Sequence, residues 1–113
     1  MYSVIIEAHI LEKIRTYADI LLDGYLLRFS DTGMWEAEAI IKDNYIQAAY
    51  LLVDSIYDNI SKVMPHEILP YTALADGVRE TSIRLGARRL FIQYEEDASN
   101  MTRYITDIEI IRR

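Results

Sequence analysis

The residues of this 113-residue chain best suited to chemistry are arginines gathered in its last third. Arg79, Arg84, Arg88 and Arg89 fall in the stretch Gly77-Val-Arg-Glu-Thr-Ser-Ile-Arg-Leu-Gly-Ala-Arg-Arg-Leu-Phe-Ile-Gln-Tyr94, and Arg112 and Arg113 close the sequence. A guanidinium presents a fixed fork of donors and stays protonated, so such a set suits a phosphate or a protein partner. Solvent-facing strand arginines that discourage edge pairing have the same pattern. Arg88 and Arg89 are adjacent, and adjacent strand residues point to opposite faces. One of the two must therefore meet the covered side of a sheet or its rim, where it needs a partner such as a carboxylate.

Other candidates are weaker. Tyr94 beside Arg88 is the one aromatic–cation neighbourhood suited to stacking a base, with a cross-strand pair of Tyr94 and Tyr104 as the structural alternative. His9 and His66 are the only histidines and are not spaced as metal ligands; His9 reads as a strand–helix junction and His66 as a loop residue between prolines. Tyr17, Tyr45 and Tyr57 read as core or rim residues of helices with hydroxyls reaching water. Trp35 reads as an anchor for a short helix, with a partner-binding point as the functional alternative. Glu36, Glu38, Asp54 and Asp58 read as solvated helix-face acids. No Gly-rich phosphate loop or nucleophile motif is present, so no cofactor and no metal are implied.

The charge is unevenly distributed. The chain has a formal net charge of −6. Residues 1–76 hold 5 basic and 12 acidic side chains, whereas residues 77–113 hold 7 basic and 6 acidic, and all 7 are arginine. An acidic helical body with an arginine-bearing sheet is the reading; the acidic balance disfavours a broad nonspecific nucleic-acid surface and leaves a localised patch open. The length fits one domain over 1–113, and 51% hydrophobic residues supply a core. With no cysteine there is neither a disulfide framework nor a thiolate zinc site, which fits a reducing cytoplasm. The opening Met1-Tyr-Ser-Val-Ile-Ile-Glu lacks a signal peptide's basic region, and no apolar run reaches the roughly 18 residues of a membrane span.

Periodicity places the elements that position these residues. A β-branched strand is expected over 2–8, then a helix over 9–29 with Ile10, Ile14, Tyr17 and Leu21 on one face and Gly24 as its end or bend. Ser30-Asp-Thr-Gly33 reads as a turn, with Asp31 or Thr32 as cap. Residues 34–63 read as helical with a break near Asp43-Asn44, so that Asn44 caps the main helix and Met34–Lys42 forms a separate short one. Pro65 and Pro70 bracket a loop. Two strands follow around a tight Gly86-Ala87 turn, then a polar loop over Glu95–Asn100 and a last strand over Tyr104–Ile111. The expected fold is α+β, in the order β-α-α-β-β-β: an antiparallel sheet with two helices packed on one face.

This order, with these residues in it, resembles the RelE/ParE superfamily of type II toxin–antitoxin toxins. The phrases that carry the likeness are Tyr2-Ser-Val-Ile-Ile, Leu52-Val-Asp-Ser-Ile-Tyr-Asp-Asn-Ile60, the Pro65–Pro70 loop, Gly77-Val-Arg-Glu80, Arg89-Leu-Phe-Ile-Gln-Tyr94 and the basic Arg112-Arg113. Residues 24–44 look longer than the family's usual connection. The resemblance implies a small cytoplasmic protein that stops growth by acting on translation or on DNA gyrase, with a cognate antitoxin as the neutralising partner. The RelE-like branch cleaves mRNA on the ribosome; by that likeness Arg89 corresponds to the central-strand arginine and Arg112 or Arg113 to the late one. Glu80-Thr-Ser82 stands where that branch carries cations, and no Tyr or His follows Arg113. The ParE-like branch binds gyrase and needs no nuclease constellation, so the expectation is a ParE-like protein without nuclease activity.

Overall fold

The computed structural model describes the backbone of residues 1–30 and 35–112 and the side chains of residues 1–24 and 42–112. Its elements are β1 (Ser3–Ile6), α1 (Ala8–Ser30), α2 (Trp35–Val63), β2 (Thr72–Ala73), a 3₁₀ turn (Ala75–Gly77), β3 (Val78–Leu85), β4 (Arg88–Asp97) and β5 (Thr102–Arg112). The strands form one sheet in the order β1-β5-β4-β3-β2. The meander β3–β4–β5 is antiparallel, but β1 joins β5 in parallel, with Ser3 opposite Thr102 and Ile6 opposite Ile105. The sheet is therefore mixed, not antiparallel throughout. The cause is the helical excursion between β1 and the meander, which lets the chain return in the same direction.

The core lies between the helices and one sheet face. Ile10 and Ile14 of α1 and Ile56 and Ile60 of α2 pack with Ile83, Leu90, Ile92, Ile105 and Ile108. The start of α1 thus meets the end of α2, so the helices run antiparallel. Residues 83, 90, 92, 94, 105 and 108 keep the alternation of a strand that is covered on one side. A bulge at Gln93/Tyr94 adds one residue to β5 and moves the phase from Ile105 to Ile108.

Two helical expectations are corrected. α1 runs through Gly24 to Ser30, and α2 is continuous from Trp35 through Asp43 and Asn44. Asn44 caps nothing and there is no separate short helix ending at Lys42. Glycine costs about 1 kcal/mol in a helix and Asp or Asn less, and neither outweighs the hydrogen bonds lost at a break. At about 1.5 Å per residue the 29-residue α2 spans roughly 43 Å. The molecule extends over 59 × 23 × 23 Å, the long axis that such a helix requires. The expected capping by Asp31 or Thr32 and the anchoring by Trp35 lie outside the described residues. The meander strands match the expected blocks, except that β4 reaches Asp97 and β5 starts at Thr102, which shortens the polar loop to 98–101; β1 is shorter than the expected 2–8, and β2 is a fifth strand beyond the four expected.

Candidate functional site

The meander sorts the arginines into two groups at opposite ends of the sheet. β3 carries Arg79 at its start and Arg84 near its end, about 17 Å apart at strand rise. Arg103 lies at the Arg79 end, and Arg88, Arg89 and Arg112 lie at the Arg84 end.

At the first end two arginines share one carboxylate. Glu96 accepts from Arg103 Nε at 2.8 Å through Oε1 and from Arg79 Nη1 at 2.8 Å through Oε2. Arg103 is almost wholly buried and donates to the main-chain carbonyls of Met64 (2.6 Å), His66 and Glu67 (3.4 Å). Its guanidinium lies 3.9 Å from the Tyr2 ring centroid, and that of Arg79 lies 4.1 Å from the Tyr71 ring centroid. Arg103 therefore closes the C-terminal end of α2, where a cation complements orphan carbonyls, and fixes the Pro65–Pro70 loop to the sheet. The sequence reading left Arg103 out of its arginine set. The signal was available: Arg103 is two residues before Ile105, hence on the covered face.

Tyr94 belongs to this end too. It is fully buried, opposite Arg79, and its hydroxyl is buried without a hydrogen-bond partner. Burial pushes its pKa up, against the pull of the Arg103 and Arg79 cations. It pairs with Ile105, whereas Tyr104 pairs with Glu95 and faces solvent on the other side of the sheet. The expected Tyr94–Tyr104 pair is thus corrected, as is an exposed stacking platform at Tyr94: the ring is core. Among the helix tyrosines, Tyr17 and Tyr45 are half-buried and Tyr57 is exposed. Arg79, read as a binding residue, is engaged by Glu96 and Tyr71.

At the second end the arginines face one another. Arg84 is directly opposite Arg89, and Arg88 is directly opposite Arg112. Like charges in such positions are destabilising. Among the described residues, no carboxylate forms an ion pair with any of the four. Arg88 turns to the helix side, as alternation requires. Its partner there is a hydroxyl instead of the expected carboxylate: Nε donates to Tyr17 Oη at 3.2 Å. Arg84 and Arg89 share the open face. Arg84, Arg88 and Arg89 line a cavity of about 320 Å³ whose remaining wall is the Gly86-Ala87 turn. Gly86 has φ of +60°, the left-handed region a tight hairpin demands. Arg88 also borders a second cavity of about 280 Å³, where Leu21 and Leu22 face Ala48, Ala49, Leu51 and Leu52.

Other charged groups are ordinary. His9 lies 3.2 Å from Glu7 in the first turn of α1, and His66 contributes its carbonyl to Arg103. Asp54 and Asp58 are exposed, as expected. Lys13 holds Asp107 at 2.7 Å and keeps that carboxyl below its usual range despite partial burial. Among the described residues no cluster of His, Asp or Glu is placed to hold a metal, and no helix is long and apolar enough to cross a membrane. Arg113 lies outside the described residues.

No protein-family model, curated protein or solved structure matches this chain.

Proposed function

We propose that this protein is a ParE-like toxin of the RelE/ParE kind, which arrests growth in the cytoplasm by binding DNA gyrase and is neutralised by a cognate antitoxin. Support for the family comes from the order of the elements: an opening strand, a helical hairpin, and a three-stranded meander that ends beside the opening strand. The observation that carries the choice of binding over cleavage is the lining of the arginine cavity. Among the described residues, Arg84, Arg88 and Arg89 line it with Gly86 and Ala87 alone, and the Tyr17 hydroxyl that binds Arg88 Nε is not part of the lining. Guanidinium groups are permanently protonated, so they hold an anion but do not relay its protons. RNA cleavage by a ribose hydroxyl also needs a proton donor for the leaving oxygen. Tyr94 is buried at the far end of the sheet and does not supply one to this cavity.

Induced expression of the gene alone tests the reading. Growth should stop, and purified protein should inhibit supercoiling by gyrase. Normal growth at high soluble yield would leave a non-toxic interaction module of this fold. Cleaved message in a translation reaction would instead establish the RelE-like alternative, with Arg89 and Arg112 as the residues to substitute.

A further inference from the structure

We propose that the tip of the β3–β4 hairpin is a binding site for a small phosphorylated ligand, with Arg84, Arg88 and Arg89 holding a phosphate or pyrophosphate group. The first ground is the uncompensated repulsion. The chain gives a carboxylate partner to the arginines it uses structurally, as Glu96 is for both Arg79 and Arg103. At the hairpin tip it sets Arg84 against Arg89 and Arg88 against Arg112 without a carboxylate ion pair among the described residues. An arrangement that is unfavourable in the free protein becomes favourable once an anion lies between the charges.

The geometry fits a phosphate better than a single carboxylate. One carboxylate accommodates one bidentate guanidinium, whereas a phosphate monoester offers three acceptor oxygens and close to two negative charges. Arg84 and Arg89 on the open face, with Arg88 bordering the cavity from the helix side, offer more donors than one carboxylate can accept. The Tyr17 hydroxyl occupies Arg88 Nε and so fixes the guanidinium while leaving its outer nitrogens for a ligand. A Cβ built on Gly86 would meet nothing within 4 Å, so a ligand can reach the turn unobstructed. The Gly86 and Ala87 amides lie outside the strand ladder and border the same cavity. About 320 Å³ falls at the small end of ligand-site volumes. A net charge of −6 on the whole chain repels a long nucleic acid, whose affinity would rest on many phosphate contacts, and leaves a compact ligand as the better match.

The site stands apart from the toxin reading: a chain that binds phosphate without arresting growth keeps the one and loses the other. The test is an NMR titration of the labelled protein with pyrophosphate at about 0.15 M salt, where surface charge is largely screened. The Gly86 and Ala87 amides should shift and saturate. Arg84→Gln and Arg89→Gln should each weaken binding by at least about tenfold, as expected for the loss of a charge-assisted fork. Lys62→Gln, on the exposed end of α2, should leave it unchanged. Both arginine variants should melt no lower than the parent, because each removes a like-charge pair; this shows that they fold. Absence of a saturable shift at millimolar pyrophosphate overturns the proposal. Equal shifts from acetate overturn the phosphate assignment, and binding of a short oligonucleotide without binding of pyrophosphate overturns the small-ligand assignment.

Discussion

Arg103 Nε lies 2.8 Å from Glu96 Oε1, and the two residues are direct partners across β4 and β5. The pair is almost dry: the Arg103 side chain is 2% exposed and that of Glu96 12%. Such a pair gains little over a well-packed apolar substitute, because desolvation offsets the attraction. Arg103 does more than pair, however, since its other nitrogens close carbonyls of Met64, His66 and Glu67. It is the link that holds the end of α2 and the following loop to the last strand.

Breaking that link strands several groups at once. Arg103→Met should therefore lower stability by about 3–5 kcal/mol, the cost of leaving several buried carbonyls unpaired and Glu96 held by Arg79 alone. Arg103→Lys should recover only part, since an ammonium lacks the planar fork that spans Glu96 and the carbonyls. Urea unfolding of the three proteins measures both. A loss below about 1 kcal/mol for Arg103→Met would show that Arg103 does not hold the loop.

Tyr94 makes the opposite case. Its hydroxyl is buried without a hydrogen bond of normal geometry, with only a loose approach of the Arg79 guanidinium. A buried hydroxyl without a partner costs about 1–3 kcal/mol in desolvation. Tyr94→Phe keeps the ring and removes the burden, so it should raise stability by up to that amount and leave the arginine network in place. A lower melting temperature for Tyr94→Phe would mean that the hydroxyl has a partner in solution.

These two residues also show what was legible in the sequence. Strand alternation groups Leu90, Ile92 and Tyr94 on one face of β4, and burial shows that face to be the covered one, against the exposed ring expected at Tyr94. The same rule required one of Arg88 and Arg89 on the helix side without saying which, and the structure puts Arg88 there. It did not reveal the bulge that slips β5 by one residue, because nothing local in Ile105-Thr-Asp-Ile108 marks which residue is extra. Helix ends were misjudged at Asp43-Asn44, where poor local propensity was overridden by an apolar stripe continuing through Tyr45, Ile46 and Ala49. The parallel joining of β1 to β5 depends on contacts about a hundred residues apart, which no local pattern encodes. The arginines were found as a group, but their division into paired and unpaired ends needed the register.

Gly24 lies inside α1, in open space: a Cβ there would touch nothing within 4 Å. The helix carries its conformational cost without a packing reason. Gly24→Ala should stabilise the protein by about 0.4–1 kcal/mol, through helix propensity and a less flexible unfolded chain. Thermal unfolding checks it. A destabilising result would show that the site needs the glycine, for instance by receiving a partner on that face.

The pH dependence follows from two carboxylates. The hydrogen bond from Lys13 holds Asp107 below the ordinary aspartate range, against partial burial, and the side chain and amide of Asn100 hold Asp97 below it. A depressed folded-state pKa means that the unfolded chain binds protons more readily. The stabilisation is therefore fully present above the unfolded value of about 3.9 and is lost as pH falls through the lower folded values. Stability should be level from about pH 7 to pH 5 on this account and decline in the acid range below pH 4. The Lys13–Asp107 pair is about half exposed on both sides, so its share is small and salt should reduce it further. Asp107→Asn removes the titrating group while leaving an amide that can still accept from Lys13. Its unfolding midpoint should vary less with pH than that of the parent between pH 5 and pH 2. Identical slopes for the two proteins would mean that Lys13 and Asp107 do not pair in solution.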